Sequence, residues 1–93
     1  MIITIDRDIT VNMISHDTVI ITRPSIMGKI SSHLIKSPYK ALEIAAWLYN
    51  RMEGRANLVQ EAFPLLNDGD REFLVSGITP SEWDRMFSKE AAE

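Results

Sequence analysis

The stretch Asn67 to Phe87, NDGDREFLVSGITPSEWDRMF, decides how this chain is built. It reads as two short helices meeting at a sharp corner. Asn67 is placed to cap the first, with Asp70 three positions on, beside the positive helix start. Gly77 ends that helix, because a left-handed residue after the last turn is cheapest as glycine. Ile78 folds back towards Phe73, the apolar contact that accompanies such a stop. The second helix begins at once: Thr79-Pro80-Ser81-Glu82 is a capping box with proline at the first helical position. Ile78 and Trp83 have the spacing of a hydrophobic staple. Phe73 and Leu74 on the first helix, and Trp83, Met86 and Phe87 on the second, recur at helical spacing. Such aromatics read as the core of the corner, with an aromatic docking patch as the other reading.

Upstream of the corner, Glu53-Gly54-Arg55 stops a longer helix, and a short helical segment follows. Asn57 and Gln60 are spaced there as a cap pair, and Leu58, Val59 and Ala62 supply the apolar side. Phe63-Pro64 ends the segment, because the residue before proline avoids helical geometry. The longer helix is the main one. Ser37 reads as its cap and Pro38 as its first position, and it runs to about Met52. Ala41, Ala45, Leu48 and Met52 line one stripe, with Ile44 and Tyr49 beside it, and this is the face to lay on a sheet. Lys40, Glu43, Asn50 and Arg51 mark the opposite side. Trp47 falls among those polar neighbours. Either a loop or the C-terminal corner covers it, or it is an exposed anchor for a partner, since tryptophan is enriched at binding hot spots.

The sheet is expected in residues 1–36. Ile2 to Ile5 is β-branched, and Ile9, Val11 and Met13 alternate with polar residues. Thr18 to Thr22 is a third strand. Arg23-Pro24-Ser25 breaks it, and residues 29–36 read as a fourth strand or a loop. The expected fold class is therefore α+β: an antiparallel meander of three or four strands, one main helix and a short-helix corner. The 93 residues make one domain, strand-rich over 1–36, helical over 37–87, with a fraying tail at 88–93.

Composition narrows the function. The chain has no cysteine, which excludes a disulfide scaffold, a thiol nucleophile and thiolate-bound zinc. No apolar run approaches the ~20 residues of a membrane span, and Met1 to Arg7 lacks a signal-peptide layout, so a cytoplasmic location is expected. Net charge is −3, split as +2 over residues 1–52 and −5 over residues 53–93. Arg23, Lys29, Lys36 and Lys40 would be the phosphate contacts of a nucleic-acid-binding face, yet the basic excess is small for that role. Gly28-Lys29 lacks the remainder of a phosphate-loop signature. The Arg23–His33 segment reads either as a bend with solvated charges or as a loop gripping an anion on a partner. His16 and His33 have no metal-ligand spacing, and both read as solvated, His33 on the polar side of a strand. No carboxylate sits in an evident apolar pocket. No catalytic set, metal or cofactor is expected, and an enzyme is not the favoured reading.

Several strings match a known pattern: Arg23-Pro24-Ser25 with Gly28-Lys29, Ala46-Trp47, Gln60-Glu61-Ala62-Phe63-Pro64-Leu65-Leu66, and above all Asp70 to Asp84, DREFLVSGITPSEWD. Over residues 23–87 the chain resembles a set of small uncharacterised proteins of bacteriophages and bacterial genomes. The resemblance implies a phage or prophage connection and carries no activity and no functional residue with it. The expectation it leaves is an accessory protein, an inhibitor or adaptor that binds a host or phage protein, with Trp47, Arg23 and Lys29 as partner-binding residues. The alternative is a nucleic-acid-binding module on the Arg23–Lys40 face. Short exposed strands also invite pairing into a homodimer.

Overall fold

Alternating β-branched residues build the first half of the chain. The computed structural model describes residues 1–91, with side chains described through residue 86. Strands β1 (Ile2–Asp6), β2 (Ile9–Ser15), β3 (Thr18–Pro24) and β4 (Ile30–Lys36) form one antiparallel sheet in the order β1-β2-β3-β4. The segment that sequence left between strand and loop is a strand, paired with β3 from Thr18↔Lys36 to Pro24↔Ile30. Pro24 occupies the last pair of its strand, where a missing donor disturbs the ladder least.

The register lines up Ile3, Val11, Ile21 and His33 across the sheet, with Met13, Val19 and Ile35 in the next row of the same face. Helix α1 (Ala41–Met52) packs here through Ala41, Ile44, Ala45, Trp47 and Leu48. Short α2 (Val59–Ala62), α3 (Asp68–Ser76) and α4 (Pro80–Ala91) follow. Phe63, Leu66, Phe73 and Leu74 complete the core. Phe73, Ile21, Ile35, Ile44 and Leu74 are fully enclosed, each contributing roughly 1.5–3 kcal/mol by leaving water. The molecule is an α+β meander covered by helices on one face.

The corner forms as its capping residues dictate. Asn67 Oδ1 accepts the Asp70 N–H at 2.8 Å, and Gly77 takes a left-handed conformation, φ 75°, with its N–H donating to Phe73 O at 2.8 Å. Thr79 and Glu82 close the box from both sides: Thr79 N–H donates to Glu82 Oε1 at 2.9 Å, and Glu82 N–H to Thr79 Oγ1 at 3.2 Å. Ile78 is buried at the joint, while Met86 is exposed. The side chain of Phe87 and the end of the 88–93 tail lie outside the described residues.

Two expected caps are not caps. Ser37 does not start α1. Its N–H donates to Asp17 O at 2.7 Å, and its hydroxyl accepts the Tyr39 N–H at 2.8 Å. These bonds hold a turn, and the helix begins only at Ala41, with Lys40 extended before it and no side chain capping it. Asn57 does not cap α2 either. That helix follows Leu58 without a side-chain cap, and the Asn57 carbonyl is engaged elsewhere. Tyr49 and Met52, expected in the buried stripe of α1, are about half exposed.

Candidate functional site

The residues singled out by sequence separate in space. Trp47 is 5% exposed. Its indole N–H donates to Asn57 O at 3.1 Å, and Phe63 meets its ring edge-on, centroids 5.9 Å apart. Arg51 lies over its face, with Cζ 5.7 Å from the centroid. A helical wheel shows only the helix to which a residue belongs. The segment from Asn57 to Phe63 returns over the polar-looking side of α1 and covers the indole. The exposed-anchor reading of Trp47 is corrected: the indole is an internal member of the core.

Arg23 is committed as well. It projects from the core face of β3 to the C-terminal end of α3, where its guanidinium donates to Leu74 O at 2.6 Å and Val75 O at 3.2 Å. Nε–H donates to Pro24 O at 2.9 Å. The last carbonyls of a helix lack intrahelical donors and carry the negative end of its dipole, and a guanidinium fork meets both needs. Arg51 adds a longer bond to the Val75 carbonyl, 3.4 Å. Burial, and then the neighbouring Arg51 charge, pull the Arg23 guanidinium below its ordinary value, yet an arginine stays ionised. Arg23 is therefore a helix clamp, not a phosphate contact.

Lys29 alone of the three is solvated. It closes the β3–β4 turn, its carbonyl accepting the Ser25 N–H at 2.7 Å, with Gly28 at φ 86° making the bend. Its charge reaches Glu82 at the start of α4. The same turn is bound to the corner, Ile26 N–H donating to Ser76 O at 2.8 Å. It presents Ile26 and Met27 to solvent, at 72% and 68% exposure. Arg23 is thus withdrawn from the Arg23–Lys40 set.

His33 does not lie on the polar side of its strand. It shares the core row with Ile21, stacks at 5.1 Å on Phe73, and brings Nε2 within 2.7 Å of Asp70 Oδ1. An Asp–His pair is half of a catalytic set; here it joins two elements of the core, and among the described residues no hydroxyl is hydrogen-bonded to this imidazole. Among the described residues no group of three or more His, Asp or Glu is placed to hold a metal, and no helix is long and apolar enough to cross a membrane.

Two surfaces that single residues did not reveal emerge from the register. The first is the sheet face turned away from α1. It bears a hydroxyl row, Thr4, Thr10, Thr22 and Ser32, in which Thr22 Oγ1 and Ser32 Oγ are 2.8 Å apart. Beside it runs a row of Ile2, Asn12, Ile20 and Leu34. Ile2 is 63% and Leu34 51% exposed, and neither row carries a charge. The second is a groove of about 360 Å³ along the outer edge of β1, walled by Ile3, Thr4 and Ile5 and by Leu42, Ala46 and Tyr49 of α1. The period-two pattern of β1, β2 and β4 was the signal for both; what it lacked was the side on which the helices settle.

Comparison of the chain with protein-family models, curated protein sequences and solved structures returns no match.

Proposed function

We propose that this chain is a phage-type accessory domain that acts by binding a host or phage protein, and that it binds through the sheet face opposite α1. The observation that carries the reading is the pair of uncharged rows on that face, with Ile2, Ile20 and Leu34 beside a hydroxyl ladder. Apolar side chains on a flat, extended surface favour a protein surface of matching polarity, since desolvating them is favourable only against another apolar patch. The phage connection rests on the resemblance over residues 23–87.

Nucleic-acid binding is the weaker reading. Its cations are Lys29, Lys36 and Lys40 once Arg23 is engaged with α3. Neither uncharged row offers a phosphate contact.

The test is capture of partners from bacterial lysate by the tagged chain and by its Leu34→Glu variant, with and without nuclease. One protein retained in near-stoichiometric amount after nuclease, and lost from Leu34→Glu, is the expected result. Nucleic acid retained with a steep salt dependence, or a partner held equally by both forms, overturns it.

A further inference from the structure

We propose that β1 is a homodimerisation edge, to which a second copy of this chain adds its own β1 antiparallel, with the two-fold axis at Ile3. The proposal goes beyond the function above and uses the backbone edge of β1 rather than the side chains of the sheet face.

Hydrogen-bond geometry leads to it. The Met13 N–H donates to Met1 O at 2.8 Å, so Met1 and Met13 are a hydrogen-bonded pair. Such pairs alternate along an antiparallel ladder, so Ile3 and Val11 form the next one. The backbone N–H and C=O of Ile2 and Thr4 then point away from β2, along the outer edge of the sheet. A strand joining this edge must offer outward groups two residues apart, and the edge itself does so. Laid antiparallel on its copy, Ile2 pairs with Thr4 of the second copy, Thr4 with Ile2, and Ile3 faces Ile3. Each copy satisfies the other with no shift of register.

The flanking surface is also self-complementary. Helix α1 runs over β1 and β2, and its outer stripe of Leu42, Ala46 and Tyr49 stands beside the edge. Leu42 is 67% exposed. A two-fold at Ile3 brings this stripe against its counterpart, and Ala46 leaves room for close approach. The groove is lined by Ile3, Thr4, Ile5 and by uncharged residues of α1, so two chains of net charge −3 meet there without like charges in contact. The guarding of the two edges differs. Lys29 and Lys36 stand exposed at the ends of β4, whereas Ile2 to Ile5 contains no charge and no proline. A bulge between Thr4 and Asp6 ends the available edge after Thr4.

The interface is small. The usable edge, Ile2 to Thr4, spans ~10 Å and α1 ~18 Å, which places the contact at the small end of specific interfaces, ~1,000 Å². A reversible dimer with micromolar dissociation follows, not an obligate one.

The test is sedimentation equilibrium of the full chain from micromolar to millimolar concentration. Thr4→Pro removes only an outward N–H and leaves the bonds to β2 intact, and it is expected to weaken the dimer on the order of thirtyfold, since two N–H groups are lost across the axis. Leu42→Lys is expected to weaken it as well, and Leu34→Glu, on the other sheet face, to leave it unchanged. Circular dichroism confirms that each variant remains folded. The chain has no cysteine, so Ile3→Cys introduces a single thiol, which is expected to cross-link with its copy under mild oxidation, facing Cα atoms lying ~4.5 Å apart in this register. A chain that stays monomeric to millimolar concentration overturns the proposal. So does a dimer that is indifferent to Thr4→Pro, or one that Leu34→Glu dissociates.

Discussion

His33 on β4 and Asp70 on α3 meet with Nε2 2.7 Å from Oδ1, joining the sheet to the C-terminal corner across 37 positions of chain. Both side chains are largely enclosed, and the imidazole rests on Phe73. Asp70 also belongs to the first turn of its helix, where its backbone N–H is held by Asn67. Replacing Asp70 by alanine leaves the enclosed imidazole without its partner and is expected to destabilise the fold by about 1–3 kcal/mol. Asp70→Asn, which keeps an acceptor, should lose less. Urea unfolding of the two variants measures the difference.

Gly77 and Gly54 share a left-handed backbone, φ 75° and 74°, but not their surroundings. A Cβ at Gly54 would meet nothing within 4 Å; at Gly77 it would stand 2.6 Å from Ser25 Cα and 2.7 Å from Pro24 O. Gly54→Ala therefore carries only the conformational penalty, about 1 kcal/mol. Gly77→Ala adds a collision with backbone that cannot rotate away, and a loss of about 3 kcal/mol or more is expected. Thermal unfolding of the pair separates the two contributions.

Trp47→Ala is expected to cost about 3–5 kcal/mol, since it opens a cavity under the 57–63 segment. Trp47→Phe retains an aromatic ring but strands the Asn57 carbonyl, and should lose about half as much. Denaturant titration followed by circular dichroism ranks them. A Trp47→Ala chain that keeps wild-type stability contradicts the buried placement.

The capping box makes α4 acid-sensitive. The Thr79 backbone N–H, and then the Thr79 hydroxyl, hold the Glu82 carboxyl below its ordinary value of 4.5. A carboxyl lowered on folding stabilises the folded state fully above its unfolded pKa, and that contribution disappears as pH falls through the folded one. The start of α4 should therefore loosen on acidification below the usual carboxylate range. Glu82→Gln should flatten that dependence, and Thr79→Ala should lose about 1 kcal/mol at neutral pH. Amide exchange at the start of α4, followed against pH, tests both.

How much the sequence disclosed depends on how far each residue reaches. Asn67, Gly77, Thr79 and Glu82 act on groups within a few positions, so the corner was legible from spacing alone. Strand alternation was equally local, and so was the α+β class. Ser37 looked like a helix cap because nothing nearby announces that Asp17 holds its N–H. Trp47 stood between a covered and an exposed reading because its cover arrives from another segment. Arg23 looked like a free cation because the carbonyls it clamps lie 51 and 52 positions away. Of the candidate binding surface, the alternation was readable, but the side taken by the helices is a property of the assembled core.

The link from Arg23 to the end of α3 also sets an order of assembly. Each hairpin of the meander closes a short loop, and short loops close first because they surrender little chain entropy. The clamp on Leu74 and Val75, the Ile26–Ser76 bond and the seat of Gly77 on Ser25 all require the intervening chain to be collected beforehand. The corner is therefore expected to latch late, onto a sheet already made. Interactions absent from the transition state govern how fast a native protein opens, not how fast it forms. Weakening this latch should leave the folding rate nearly unchanged and accelerate unfolding, which makes it the point on which the lifetime of the folded chain depends.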